Sequence, residues 1–155
     1  MKYITTLLIS IVVLCLPLDI QAKDFNYNRN SNTVSELQEK TNFKILVPTK
    51  MNQKWVLHTK TYNESERIII ALHFLDENEK ELMVAIRQTK NSSGLRKSIV
   101  KSEKIEVNSH AAHYIGWADG SVGGQLIWVQ AGTYIEMLSQ SLSKNKMLEI
   151  ARTMK

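Results

Sequence analysis

Four histidines, His58, His73, His110 and His113, are the side chains here best suited to proton transfer or metal ligation. His110 and His113 stand three residues apart. On a helix both imidazoles would share a face, but Asn108-Ser109 followed by Ala111 to Trp117 reads as a turn into a strand. Residues three apart on a strand point to opposite faces, which is poor for chelation. Zinc needs three or four converging ligands; His58 and His73 could join from other strands, but nothing in the sequence demands it. The histidines therefore predict ordinary hydrogen-bonded or exposed roles, with no metal.

Other chemistry is equally weak. There is no Gly-x-Ser-x-Gly elbow, and Ser139-Gln140-Ser141-Leu142-Ser143 reads as a loop and helix cap. Gly116, Gly120, Gly123 and Gly124 match neither a P-loop nor a dinucleotide fingerprint, so turn and bulge geometry accounts for them. Asp76, Glu77, Asn78, Glu79 and Glu81 lack the glycine and spaced last glutamate of a calcium loop and predict a hairpin tip. No catalytic residue and no cofactor is expected. Five aromatics remain, Trp55, Tyr114, Trp117, Trp128 and Tyr134. They form the candidate ligand-binding set, because aromatics on a sheet can line an apolar pocket with polar atoms at its mouth. The competing reading makes them the core beneath the helices.

The elements that would position these residues follow from periodicity. Thr33-Val34-Ser35-Glu36 has the form of a capping box and predicts a short helix from Val34 to about Thr41. Phe43 to Val47 is extended and stops at Pro48. From Trp55 the period is two, with strands at Trp55 to Tyr62, Arg67 to Leu75 and Lys80 to Gln88. Arg67 to Leu75 is apolar on both faces and predicts a central strand covered on two sides. Further strands are expected at Lys101 to Val107, Ala111 to Trp117, Gln125 to Gln130 and Thr133 to Ser139, the last two joined at Ala131-Gly132. Ser143 would cap a final helix whose stripe is Met147, Ile150, Ala151 and Met154. The fold class expected is α+β: a curved antiparallel sheet of about six to eight strands, with a short N-terminal and a C-terminal helix packed on it.

Residues 1 to 22 have the order of a secretory signal: basic Met1-Lys2-Tyr3, an apolar run from Ile4 to Leu18, then Ile20-Gln21-Ala22 before Lys23. The run is shorter than the roughly twenty residues that span a hydrocarbon core. Cleavage after Ala22, retention as an anchor and lipid attachment at Cys15 are the three fates, although bulky Val12-Val13-Leu14 suits the last poorly. With cleavage, the lone Cys15 leaves and the mature chain can form no disulfide. Lys23 to Ser31 is polar, without period, and residues 23–32 are expected to be a flexible lead to a single domain over 33–155. Lys2 and Asp19 would depart together, so the net charge of +5 is unchanged. No dense basic tract with interleaved aromatics points to nucleic acid.

The order of motifs resembles domain-of-unknown-function family 4367, found on exported or membrane-anchored proteins of Gram-positive bacteria. Ile45-Leu46-Val47-Pro48-Thr49 followed by Lys50 to Trp55 looks like that family's opening valine-proline-threonine stretch. Val107-Asn108-Ser109-His110-Ala111-Ala112-His113-Tyr114 is similar to its valine-asparagine-glycine-histidine segment. Leu126-Ile127-Trp128 with Gly132-Thr133-Tyr134 resembles its tryptophan–glycine–tyrosine hairpin, and Leu142 to Ala151 its closing helix. The likeness covers roughly Phe43 to Met154; Asn52 stands where the family has a second proline, and Ser109 where it has glycine. It implies a compartment and a fold type, not a reaction.

Together these features predict a secreted or cell-surface binding or accessory domain without enzymatic activity. An envelope polymer, a lipid or a membrane protein would be its partner. The alternative is an envelope sensory or regulatory domain acting on a membrane protein partner. The oligomeric state is not specified by any motif.

Overall fold

The computed structural model describes residues 25–64, 67–91 and 102–155. In chain order the elements are β1 (Asn26–Tyr27), α1 (Val34–Glu39), β2 (Val56–Glu64), β3 (Arg67–Leu75), β4 (Leu82–Lys90), β5 (Glu103–Val107), β6 (His110–Gly116), β7 (Gly124–Gln130), β8 (Thr133–Ser139) and α2 (Lys144–Arg152). They make an α+β fold around one open sheet of order β1-β2-β3-β4-β8-β7-β6-β5. Every pairing is antiparallel except the short β1–β2 contact.

The sheet orders itself through its alternation. Leu57, Phe74 and Val84 lie side by side across three strands, as do Leu126, Met137 and Ile86 farther along, so one face is continuous hydrocarbon. Both helices and the extended segment Phe43–Val47 pack on this face. Helix α1 begins as its capping box requires: the Thr33 hydroxyl accepts from Glu36 N, and the Glu36 carboxylate accepts from Thr33 N at 2.6 Å. Ser143 caps α2 with its hydroxyl alone, which accepts from Lys146 N, and Met147, Ile150, Ala151 and Met154 are buried as one stripe.

Gln88 is the polar exception in this core. It has no solvent exposure, its Oε1 accepts from Leu46 N at 2.8 Å, and its Nε2 donates to Leu46 O at 2.9 Å. The side-chain amide thus acts as a one-residue strand partner and satisfies a main chain that crosses the sheet without a ladder. The Thr133 hydroxyl does the same for Lys44 O at 2.6 Å. These two contacts hold the segment that leads to Pro48.

Several boundaries differ from the periodicity. The strand expected over Lys80 to Gln88 runs from Leu82 to Lys90, because the Asp76 carboxylate gathers Lys80 N and Glu81 N into the preceding turn. Strand β2 continues through Asn63 and Glu64, expected as turn, since both still pair with β3. Helix α1 ends at Glu39, where Lys40 folds back on Gln38 O and Leu37 O. Ser65, Glu66 and Asn91 to Lys101, expected as turn, loop and strand start, fall mostly outside the described residues.

Two readings need correction. The stretch from Lys23 to Ser31 is expected to be a flexible lead, yet among its described residues Asn26–Tyr27 pairs with Val56–Leu57 and Phe25 packs edge-on to Phe74 at 5.7 Å. Two aromatics placed two apart suffice to dock a short polar segment, and Tyr27 Oη then accepts from Val34 N. The second concerns β3, expected to be covered on both faces. Ile70, Leu72 and Phe74 are buried, whereas on the other face only Ala71 is buried and Ile69, His73 and Leu75 are half-buried, because both helices lie on the first face.

Candidate functional site

A recess lies where residues 47–50 meet residues 153–155. Pro48 bridges Met154, Val47 and Lys155 exchange main-chain bonds at 3.2 Å, and Thr49 N donates to Thr153 O. Lys50 N reaches Thr153 Oγ1. Beyond this join the chain loops from Lys50 to Trp55 and leaves a groove of about 700 Å³ against α2. Asn52 shapes the loop: its carbonyl accepts from Trp55 N and its Oδ1 from Lys54 N. These two bonds make an Asx-type turn.

One side of the groove is a helix stripe. Lys146, Glu149, Ile150 and Thr153 recur at helical spacing and so share a face. Met51, Trp55, Leu142 and Ile150 supply the apolar lining, and Lys50, Lys146 and Arg152, against the single carboxylate Glu149, supply the charge. Lys146 pairs with Glu149 at 2.7 Å. Lys50 and Arg152 have no carboxylate within ion-pair distance among the described residues. Main-chain bonds to Thr153 thus bring two cationic residues to one apolar recess. A smaller recess shares Met51, Asn52 and Trp55 and extends toward Phe25.

The five aromatics named from sequence are not brought together. Trp55 is half-buried in the groove wall. Trp128 is core, with its Nε1 donated to Gln130 Oε1 at 3.3 Å. Tyr114 donates to Gly123 O at 2.5 Å, and Trp117 Nε1 donates to Ser139 O at 2.9 Å, so both brace the β6–β7 connection. Lys144 lies 5.7 Å from the Tyr114 ring centroid. Tyr134 is on the opposite sheet face, beside a second recess of about 350 Å³ lined by Glu64, Arg67, Arg87 and Glu136. Burial there, reinforced by the Glu136 charge, raises its phenol above the ordinary value.

The histidines are likewise dispersed. His110 and His113 sit on β6 three apart and face opposite ways. His113 Nδ1 meets Ser102 Oγ at 2.8 Å. His58 and His73 are cross-strand neighbours. His58 Nε2 lies 2.5 Å from Glu79 Oε2, which also accepts from Asn28 Nδ2 at 2.7 Å. Those two bonds, Asn28's first, hold the Glu79 carboxyl below its usual range. Burial, with Lys60, His58 and Arg87 nearby, pushes His73 below 6.5. No group of three metal-binding side chains occurs among the described residues. The acidic hairpin tip is built around Asp76, whose carboxylate collects amide donors and is held low by them. Ser139 Oγ donates to Met83 O and accepts from Ser141 N and Leu142 N.

Against this geometry, the family model described as Domain of unknown function (DUF4367) matches residues 44–154. The chain belongs to this family. The DUF4367 match begins one residue before Ile45 and ends at Met154, so it includes the groove and the Pro48–Met154 bridge that closes its base. No curated protein and no solved structure matches the chain.

Of the groove residues, sequence reasoning singled out only Trp55. Lys146 and Arg152 lie off the apolar stripe of the last helix, and Lys50 and Met51 enter only through the family resemblance. The signal that unites them is the antiparallel join of residues 47–49 with 153–155, a contact about a hundred residues apart that no local period announces.

Proposed function

We propose that the chain is an exported, non-enzymatic binding domain of the bacterial cell envelope, and that its ligand occupies the groove between the Lys50–Trp55 loop and α2. The observation that carries this reading is the make-up of that groove. Its volume of about 700 Å³ is in the range of small-molecule sites, and its lining combines apolar side chains with a few charges. The hydroxyl on its wall, Thr153 Oγ1, is donated to Ile150 O at 2.8 Å, an arrangement that serves the helix end rather than nucleophilic attack. The leader over residues 1–22 supports export to the cell surface or beyond.

The test is recovery of the native product from fractionated cells, with intact mass, N-terminal sequence and solvent extraction of whatever it carries. The reading predicts a chain beginning at Lys23 outside the cytoplasm, with a bound small molecule that Leu142→Arg removes. A folded chain of all 155 residues in the cytosol would refute it.

A further inference from the structure

We infer that the groove's ligand is an anionic lipid, with its phosphate on Lys50 and Arg152 and its hydrocarbon chain along Met51, Trp55, Leu142 and Ile150. The inference rests on the reading of this groove as the binding site and gives that site a ligand class.

Three observations converge. First, Lys50 and Arg152 are both exposed, both line the groove, and neither has a carboxylate partner among the described residues. The Thr49–Thr153 and Lys50–Thr153 hydrogen bonds bring the backbones of these two residues together, so both side chains can reach one anion at the groove. A phosphate there would gain charge-assisted hydrogen bonds from both. Second, the lining beside this charge is hydrocarbon and indole. A bare anion would leave that surface wet; an amphiphile covers it. Third, four of the seven main-chain amides from Thr49 to Trp55 already donate within the protein, those of Thr49, Lys50, Lys54 and Trp55. A peptide would find few backbone donors along this wall, whereas a lipid chain needs none.

The test titrates the full chain with lysophosphatidylglycerol, with lysophosphatidylcholine of the same chain length, and with inorganic phosphate, each lysolipid below its micelle concentration. Calorimetry and tryptophan emission are the readouts. Lysophosphatidylglycerol should bind, lysophosphatidylcholine about tenfold more weakly or worse, and millimolar phosphate should neither bind measurably nor compete. In Lys50→Gln/Arg152→Gln, anionic-lipid affinity should fall about 25-fold, at roughly fivefold per charge, with an unchanged thermal midpoint. Met51→Ser should weaken both lysolipids alike, since it touches only the hydrocarbon side.

Equal affinity for the two lysolipids would overturn the role of the cations. Phosphate binding as tightly as lysophosphatidylglycerol would overturn the amphiphile. Tighter binding of an acidic amphipathic peptide would replace lipid by protein as the partner. If no lipid binds while the native chain still yields a small molecule lost in Leu142→Arg, only the ligand class fails. If no molecule of any kind depends on the groove, the binding-site reading fails with it.

Discussion

Replacing Gln88 by Leu tests how the groove's foundation is held. Gln88 is fully buried, and its amide is the partner of both Leu46 N and Leu46 O. Leu fills nearly the same volume, so little cavity forms. It leaves one buried donor and one buried acceptor without partners, each costing about 1–3 kcal/mol. Removing a polar side chain from the apolar core returns about 1–2 kcal/mol. The net loss is about 3 kcal/mol, a large share of the 5–15 kcal/mol typical of a domain, and corresponds to a fall of about 10 °C in Tm. Urea unfolding followed by tryptophan emission should show the midpoint falling with an unchanged slope. Gln88→Glu provides the control. Its carboxylate can accept from Leu46 N but opposes Leu46 O, so it should be worse than Leu at neutral pH and improve in acid, when a carboxyl proton can be donated. If Gln88→Leu lies within about 0.5 kcal/mol of the parent, the side chain is not the tether described here.

Three other substitutions probe the frame. Ser109 (φ 65°) follows Asn108 (φ 50°) in the two-residue β5–β6 turn, a conformation that favours glycine, so Ser109→Gly should stabilise by about 0.5–1 kcal/mol in the same urea assay. Gly123 has φ +103°, and a Cβ there would overlap Ser139 O, so Gly123→Ala should cost about 3 kcal/mol, read as a matching drop in Tm. His73 is held below 6.5 in the folded chain, so the unfolded chain takes up its proton first. Stability should therefore be complete above that pH and decline as pH falls from 6.5 toward the depressed folded value. His73→Asn should flatten the urea midpoint across that window; an unaltered pH slope would contradict the assignment.

Much of the frame was legible because it is repetitive. Alternation in Arg67–Leu75, the caps at Thr33 and Ser143 and the Ala131-Gly132 turn each repeat a local rule, and each appears where the rule puts it. What escaped depends on partners distant in sequence. Gln88 reads as a polar strand residue until Leu46, 42 positions away, is seen to need both ends of its amide. Asn26–Tyr27 carries too little period to announce a strand, and its docking depends on Phe74 behind Phe25. The aromatic set was chosen by residue type, yet strand parity separates it: Trp128 and Tyr134 lie on opposite faces of the same hairpin. The cations of the groove carry no motif and acquire meaning only through the Pro48–Met154 bridge.

The most direct test of the account is a map of backbone amide shifts in the full chain as lipid extracted from the native envelope is added. The account predicts perturbations concentrated in Lys50 to Trp55 and Leu142 to Thr153, saturating at about 25-fold higher lipid concentration in Lys50→Gln/Arg152→Gln. Shifts centred instead on Arg87, Tyr134 and Glu136 across the sheet, or no saturable shifts at all, would contradict it.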